Sequence, residues 1–218
     1  SIKMHHVEEV PSTEIEPLNQ GQAWWLNIFP VTQAKKGKTR LVFDSAATYD
    51  DTNLNKHLMS GPDCNNYLLG VLLRFRERAI GFSTDVESMF YQFRLFKEDS
   101  DYTRFFWYRN NDPNEKLVQY RALVHIFGNT PSPAVANYGL RFAACQEDSS
   151  VSEKSRRFLH KNMYVDDGLG CEDTPQDAIS CLEGARKLLG KYKIRLHKIA
   201  SNSKEVVENF PPCERSDE

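Results

Sequence analysis

The sequence lacks the signals of a membrane protein and of a secreted protein. No apolar run approaches the roughly 20 residues that a helix needs to cross a bilayer. The first six residues contain no apolar stretch of the kind found in a signal peptide, and the chain does not begin with methionine. We therefore expect an intracellular, cytoplasmic protein with no membrane partner, and a piece cut from a longer polypeptide.

Metal-binding patterns of cysteine and histidine are also lacking. The five cysteines are an odd number, and no two of them have C-x-x-C spacing. The six histidines form no H-E-x-x-H motif. We predict reduced thiols in place of a disulfide framework or a zinc site, and the histidines show no pattern that favours transition-metal chemistry.

The chain has no excess of basic residues, which nucleic-acid-binding proteins usually show. It carries 28 Lys and Arg against 30 Asp and Glu, for a net charge of −2. Basic residues nevertheless cluster at 35–40, 74–78 and 154–157. Each cluster alone is typical of a solvated face, whereas a basic groove beside an acidic metal site would suit phosphoryl transfer on a polynucleotide. The 40% hydrophobic content is enough for one large domain or two small lobes.

The most informative positive feature is a set of aspartates that end two apolar, strand-like runs. Met163-Tyr164-Val165 leads into Asp166 and Asp167, and the run 79–84 leads into Asp85. Adjacent carboxylates repel each other unless a cation neutralises them, and carboxylate oxygens are the ligands that Mg²⁺ prefers. Taken alone, Asp-Asp-Gly is typical of a β-turn and Asp85 of a helix N-cap. The conjunction of the three favours one magnesium site.

Hydrophobic periodicity and turn residues predict an α+β fold. We expect a polar lead-in, a strand hairpin at 23–29 and 40–44 with a cationic tip, and irregular structure at 45–62. Asp63 is the predicted N-cap of a helix over 64–77. Its predicted apolar face consists of Leu68, Leu69, Leu72, Leu73 and Phe75.

Later elements follow the same logic. The runs 102–108 and 117–123 flank a turn-rich loop and predict a second hairpin. Ser132-Pro133 and Thr174-Pro175 each predict a helix start, and the second helix ends at Gly190. Its predicted buried residues are Ile179, Leu182, Leu188 and Leu189. A last strand is predicted at 194–199.

Together these motifs resemble the fingers and palm of a reverse transcriptase, most closely the Bel/Pao class of long-terminal-repeat retrotransposons. The similarity extends from about Trp24 to Pro212, and the runs 38–47, 53–59 and 196–202 are especially like that class. The resemblance implies a polymerase palm, an antiparallel sheet backed by helices, with a smaller strand-rich fingers lobe and no thumb. The implied domains are a lead-in at 1–22, a fingers part at 23–78, a palm at 79–205 with fingers elements around 100–130, and an acidic tail at 206–218.

The resemblance also implies an RNA-directed DNA polymerase that adds deoxynucleotides to a primer on an RNA or DNA template. The rest of the polyprotein, a thumb and an RNase H domain, would complete it. The implied catalytic residues are Asp85, Asp166 and Asp167, which would hold two Mg²⁺ ions together with Val86; Mn²⁺ is the alternative metal. Two such ions about 3.5–4 Å apart can activate the attacking oxygen and stabilise the leaving one.

Further residues would contact the nucleotide by the same resemblance. They are Lys36, Lys38 and Arg40 for the triphosphate, the Val86 and Glu87 amides, Phe90, Phe127, Gly128 and Lys198. Phe90 matches the steric gate that excludes a ribose 2′-hydroxyl, although a core aromatic is the alternative. Phe127 and Gly128 would lie beneath the sugar and template, and Lys198 would protonate pyrophosphate. The sequence leaves open which lysine of the hairpin contacts the triphosphate.

Two other functions remain open at this point. The chain could be a domesticated palm that binds RNA or protein without catalysis. The three intact aspartates argue against this function, because a binding role does not need them. It could also be an RNA-templated RNA polymerase, although an aromatic at Phe90 argues against room for a 2′-hydroxyl.

Overall fold

The computed structural model describes residues 5–15, 21–33 and 38–216, and side chains are described for all of these except residues 33 and 38–40. The backbone forms two compact units. The first comprises the described residues within Ser1–Gly61 and Phe90–Ser132, and the second those within Pro62–Met89 and Pro133–Glu218. Within the described residues, no helix has both the length and the apolar composition that crossing a membrane requires.

The strands are β1 (Val7–Glu9), β2 (Asn27–Gln33), β3 (Lys38–Asp44), β4 (Ile80–Val86), β5 (Arg104–Tyr108), β6 (Leu117–Ala122), β7 (Met163–Tyr164), β8 (Asp167–Glu172) and β9 (Leu196–Ser201). The α-helices are α1 (Leu54–His57), α2 (Leu68–Phe75), α3 (Lys97–Ser100), α4 (Ser132–Cys145), α5 (Glu153–Lys161), α6 (Pro175–Gly190) and α7 (Lys204–Glu208). Short 3-10 turns lie at Ser12–Glu14, Met89–Gln92, Asp101–Thr103, Arg109–Asn111 and Pro212–Glu214.

The first unit is built from a hairpin and a three-stranded antiparallel sheet. Strands β2 and β3 pair over their full length, and the sheet has the order β1-β6-β5. The predicted hairpin of β5 and β6 is present, whereas β1 pairs with β6 inside the segment expected to be a loose lead-in. The core of this unit consists of Leu26, Phe43, Leu54, Phe105, Tyr120, Ala122 and Ile126.

Two buried arginines connect the N-terminal segment to this sheet. The side chains of Arg104 and Arg121 are 0% and 2% exposed. Arg121 forms ion pairs with Glu8 (2.6 Å), Glu14 (2.6 Å) and Asp101 (2.9 Å). Arg104 also pairs with Asp101, at 2.8 Å. Buried charges require such partners, and β1 supplies one of them, which explains why this short strand is held in place.

The second unit is an antiparallel sheet backed by helices, as predicted. Its strand order is β7-β8-β4-β9, and α5 and α6 pack on each other and on the sheet. The ring of Phe82 on β4 lies 5.4 Å from that of Phe158 on α5. A Cβ atom on Gly170 of β8 would come within 2.5 Å of Phe82, so this glycine makes room for the ring.

Two predictions for α6 are confirmed: its start after Thr174 and its apolar face. The Thr174 hydroxyl accepts a hydrogen bond from the Asp177 amide, and Leu182, Leu188 and Leu189 are buried. Ile179 is half-buried. Helix α5 and strand β8 were not predicted, because the basic residues of 154–157 are typical of a solvated face and the apolar run before Asp166 ends at the two aspartates.

Helix α2 differs from its prediction in start and in orientation. It begins at Leu68, four residues later than expected, and the Asp63 carboxylate accepts a hydrogen bond from the Asn65 amide instead of capping the helix. The leucines of its predicted apolar face do not lie in the protein core. Only Val71 is buried, while the leucine stripe, defined as Leu68, Leu69, Leu72 and Leu73, is exposed. The packed side of a helix this short accommodates few residues, and here it is the side facing β8.

Candidate functional site

The candidate site lies at one end of the four-stranded sheet of the second unit. Strand β4 is central, so Asp85 has a neighbour on each side: its backbone pairs with Asp167 on β8 and with His197 on β9. Alternation along β4 buries Thr84 and Val86 and leaves Asp85 half-exposed on the opposite face. Regular strand geometry therefore presents the Asp85 carboxylate on the open face of the sheet.

A strained two-residue turn holds Asp166. The pair between Tyr164 and Asp167 closes the β7–β8 hairpin around Val165 and Asp166. Val165 has a φ of +54°, which a β-branched residue rarely adopts and which costs about 1–3 kcal/mol. The Asp166 carbonyl accepts a hydrogen bond of 2.8 Å from the Val86 amide, which ties the turn to the end of β4. The two adjacent aspartates therefore separate, one in the turn and one in the strand.

Negative charge accumulates where these carboxylates converge. Burial raises the pKa of Asp167 above its ordinary value, and the negative charges of Asp166 and Asp85 raise it further, against a smaller opposing effect of Lys198. Within the described part of the chain, no group of three or more His, Cys, Asp or Glu side chains is arranged to hold a metal ion. The oxygen donors suit Mg²⁺ in their chemistry, and the metal role of Asp85, Val86, Asp166 and Asp167 stays a prediction.

Both carboxylate oxygens of Asp85 have partners on β9. The Nε2 atom of His197 lies 2.8 Å from Asp85 Oδ1, where the ring N–H donates, and the Lys198 ammonium lies 2.7 Å from Oδ2. Lys198 was predicted only as a proton donor to pyrophosphate, and His197 was not predicted as a site residue. Nothing in the sequence singles out His197, because its contact depends on the register of two strands far apart in the chain.

A β-bulge explains how two consecutive residues reach one carboxylate. Side chains of neighbouring residues in a regular strand point to opposite faces. Ser83 and Asp85 are two residues apart on β4, but their partners Ala200 and His197 are three apart on β9. The extra residue lies at the register shift, where Lys198 has a φ of +51°. This local twist turns both side chains of the His197–Lys198 pair toward Asp85.

The amides predicted to meet a triphosphate have intramolecular partners. The Val86 amide donates to Asp166, as described, and the Glu87 amide donates to the Arg195 carbonyl at 2.9 Å. The Glu87 carboxylate also pairs with the Arg195 guanidinium, at 3.1 Å. Their contact with a nucleotide stays a prediction.

The remaining predicted residues lie in the first unit. Phe90 is buried, and its ring centroid lies 4.5 Å from that of Phe127, which is half-exposed. Gly128 has a φ of +104°, and a Cβ atom there would lie 2.6 Å from the Phe43 carbonyl oxygen. Its own carbonyl accepts a hydrogen bond from the Asn55 side chain, at 2.8 Å. The glycine at this position therefore allows strand β3 to pass close by. The contact of Phe127 and Gly128 with a nucleotide sugar and template stays a prediction.

The cationic hairpin is described only in part. The backbones of Lys38 and Arg40 belong to β3, where they pair with Gln33 and Val31. Their side chains lie outside the described set, as does all of Lys36. Their contacts with a triphosphate stay predictions.

The other two basic clusters are engaged within the protein. Arg74 donates to the Lys161 carbonyl at 2.5 Å, and Arg78 pairs with Asp173. Lys154 pairs with Glu172 at 3.1 Å and with Asp177 at 2.9 Å. Lys154 thereby joins α5 to β8 and to α6. These intramolecular contacts weaken the suggestion that the 74–78 and 154–157 clusters form a nucleic-acid groove.

No protein-family model and no curated protein matches the sequence. Solved structures do match, and several are of the foamy virus protease–reverse transcriptase. One crystal structure of the prototype foamy virus protein has a TM-score of 0.67 at 18% identity, and the match covers 93% of this chain and 23% of that chain. A structure in complex with double-stranded DNA has a TM-score of 0.64 at 19% identity, covering 89% of this chain and 28% of that one.

A third structure, in complex with an RNA/DNA hybrid, has a TM-score of 0.58 at 19% identity and covers 80% of this chain and 20% of that chain. The chain therefore spans between about a fifth and about three-tenths of the length of these proteins. They are retroviral, so the Bel/Pao class stays a prediction. The mixed α/β structure with antiparallel sheets backed by helices is, as the sequence predicted, the fold found in part of a reverse transcriptase.

Proposed function

We propose that this chain is the polymerase part of a reverse transcriptase, which adds deoxynucleotides to a primer paired with an RNA or DNA template. One observation carries the proposal: in a reverse-transcriptase fold, Asp85 lies opposite Asp167 on neighbouring strands, and the Val86 amide ties the turn that holds Asp166 to the same end of the sheet. The DNA and RNA/DNA complexes of the similar structures support a nucleic-acid partner. A Bel/Pao element and a longer polyprotein are the origin we propose.

The site's own oxygen atoms define its proposed cofactor. Asp85, Asp166, Asp167 and the Val86 backbone would hold two divalent cations, Mg²⁺ or alternatively Mn²⁺. When bound, such cations would activate the primer 3′ oxygen and stabilise the departing pyrophosphate. Burial is the main cause of the raised pKa of Asp167, and the charges of Asp166 and Asp85 add to it. A bound cation would relieve the repulsion among the three carboxylates, which supports this assignment.

The nucleotide-binding roles follow the sequence resemblance. Arg40, with Lys36 or Lys38, would bind the triphosphate, since a guanidinium fork suits phosphate oxygens. Phe90 would exclude the ribose 2′-hydroxyl, and its packing against Phe127 gives its ring a firm support. Lys198 would protonate pyrophosphate after leaving Asp85.

A palm that binds RNA or protein without catalysis is the second candidate. One observation favours it: His197 and Lys198 engage both carboxylate oxygens of Asp85. A purely structural ion pair would have this arrangement too. The two candidates differ in whether the aspartates are needed for synthesis or only for stability.

Primer extension on an RNA template with Mg²⁺ tests the proposal. The parent should extend the primer with deoxynucleotides, and Asp166→Asn should lower the rate by about 100-fold or more, because the cations are worth several kcal/mol of barrier. Asp173→Asn is the matched control, since this exposed aspartate pairs with Arg78 away from the site. Equal extension by parent and Asp166→Asn would refute the catalytic role, and no extension by a longer piece of the natural polypeptide would favour the second candidate.

Nucleotide selection tests the role of Phe90. Phe90→Ala should admit ribonucleotides and raise their incorporation relative to deoxynucleotides, because the ring no longer fills the space of the 2′-hydroxyl. Phe96→Ala, at a highly exposed phenylalanine of the same unit, is the control. Unchanged selectivity in Phe90→Ala would leave Phe90 as a core aromatic.

A further inference from the structure

The two partners of Asp85 differ in how firmly they are held. The His197 side chain is 17% exposed, and the Lys198 side chain is 57% exposed. His197 is therefore enclosed beside Oδ1, whereas the Lys198 ammonium can move from Oδ2 into solvent without disturbing the sheet. The bulge on β9 brings both residues to the same carboxylate by local backbone twist.

The charge around this ion pair is unbalanced. Asp85 shares the end of the sheet with Asp166 and Asp167, and the ammonium of Lys198 is the cation that faces Asp85 at 2.7 Å. One positive charge offsets one of three carboxylates. A divalent cation would offset more of this charge and, being an oxygen-seeking ion, would compete for the same Oδ2 atom.

We propose that Lys198 is the internal counter-ion of Asp85 in the metal-free protein, and that a divalent cation displaces it from Oδ2 while His197 continues to hold Oδ1. The inference rests on the proposed function, because it assumes a divalent-cation site at these aspartates. It assigns different roles to two adjacent residues. Lys198 opposes cation binding by competition, and His197 assists it by fixing the orientation of the carboxylate.

The direction of these effects makes the proposal testable without polymerase activity. The probe is Mn²⁺ alone, titrated into the full chain with no nucleic acid or nucleotide, with free Mn²⁺ measured by electron paramagnetic resonance. Lys198→Met should bind Mn²⁺ about two- to fivefold more tightly than the parent, the range expected from removing an exposed ion pair. His197→Ala should bind it more weakly, and Lys198→Arg, which keeps the charge, should bind as the parent does.

Two controls separate a local effect from a general one. Lys204→Met removes the same charge from a pair with Glu208 at the surface of α7, and it should leave Mn²⁺ affinity unchanged. Circular dichroism of each variant checks that it is folded. Asp85→Asn should bind Mn²⁺ weakly whether or not Lys198 is replaced.

The outcomes distinguish the inference from the proposed function. If the parent binds Mn²⁺ but Lys198→Met binds no more tightly, the counter-ion role is overturned and the metal site stands. If Lys204→Met gains as much affinity as Lys198→Met, the effect is one of net charge and the inference is also overturned. If neither the parent nor any variant binds Mn²⁺, the metal site itself fails and the inference fails with it.

Discussion

Asp85 and Asp167 lie directly opposite each other on neighbouring antiparallel strands of the second unit. Like charges in this position destabilise a sheet, because their Cβ atoms are close and both point to the same face. The end of the sheet is therefore less stable than its backbone hydrogen bonds alone would make it.

We expect Asp167→Asn to stabilise the protein in the absence of divalent cations. The pKa of Asp167 is raised in the folded state, so the folded protein binds this proton more tightly and loses stability as the pH rises through that pKa. At about pH 7 the variant should gain about 0.2–1 kcal/mol in the free energy of unfolding. The gain should vanish at about pH 3, where the parent carboxyl is itself protonated.

Urea unfolding followed by circular dichroism, with a chelator present, measures this gain. Glu98→Gln removes an exposed carboxylate of α3, outside the sheet, and should change stability little at either pH. A loss of stability in Asp167→Asn at about pH 7 would contradict the repulsion argument.

The buried ion network of the first unit predicts a large effect at Asp101. Burial acts to raise the pKa of Asp101, but hydrogen bonds from Arg121 and Arg104 outweigh it and hold that pKa below its ordinary value of 3.8. Asp101→Asn should cost about 3 kcal/mol at neutral pH, because it leaves buried guanidinium groups short of a counter-charge. A depressed carboxyl pKa stabilises the fold above pH 3.8, so the cost should shrink as the pH falls below that value.

Tryptophan fluorescence can follow this unit by itself, because Trp24, Trp25 and Trp107 all belong to it. Lys97→Met is the control, since Lys97 is an exposed partner of Glu14 and its removal should cost less than about 1 kcal/mol. If Asp101→Asn and Lys97→Met lowered the free energy of unfolding equally, burial of the arginines would not determine how much these ion pairs stabilise the protein.

Gly170→Ala should destabilise the second unit by about 1–3 kcal/mol, which is the usual range for overpacking a core. The new methyl group would collide with the ring of Phe82 and lie 3.0 Å from that of Phe158, and both rings are buried. Thermal unfolding gives the measurement. Gly190→Ala, where nothing lies within 4 Å, should be neutral or slightly stabilising. Adding Phe82→Leu should restore part of the loss in Gly170→Ala.

Gly128→Ala and Gly21→Ala form a matched pair that separates backbone strain from collision. Both glycines have positive φ, +104° and +85°, but a Cβ on Gly128 would lie 2.6 Å from the Phe43 carbonyl oxygen, whereas nothing lies within 4 Å at Gly21. Both variants should lose about 1 kcal/mol or more to strain. Gly128→Ala should lose more, and urea unfolding followed by tryptophan fluorescence measures the difference. Equal losses would mean that β3 moves aside.

Local patterns in the sequence predicted much of the fold. The β5–β6 hairpin follows from a turn-rich loop between two apolar runs, and α6 follows from the Thr174 cap and a run of leucines. The convergence of Asp85 with Asp167 could be inferred because each follows a strand-like run. These predictions depend on neighbours along the chain.

The features that were missed depend on pairing between distant segments. Strand β1 is held by its pairing with β6 and by the buried Arg121, neither of which shows in a polar segment. The contact of His197 with Asp85 exists because β9 has a bulge, and a bulge follows from the register of two strands 112 residues apart. Helical periodicity identified the leucines of α2 correctly as one stripe, but it gave no information on which side of the helix packs.

That stripe has a practical consequence for handling the polypeptide. Contiguous apolar surface promotes nonspecific aggregation in concentrated solutions, and the leucine stripe forms such a surface on consecutive turns of α2. Leu69 and Leu73 are 53% and 62% exposed, and replacing both with glutamate would make this face hydrophilic. The buried Val71 would still pack the helix against the protein. A sample prepared that way should stay monodisperse in light scattering at concentrations where the parent does not.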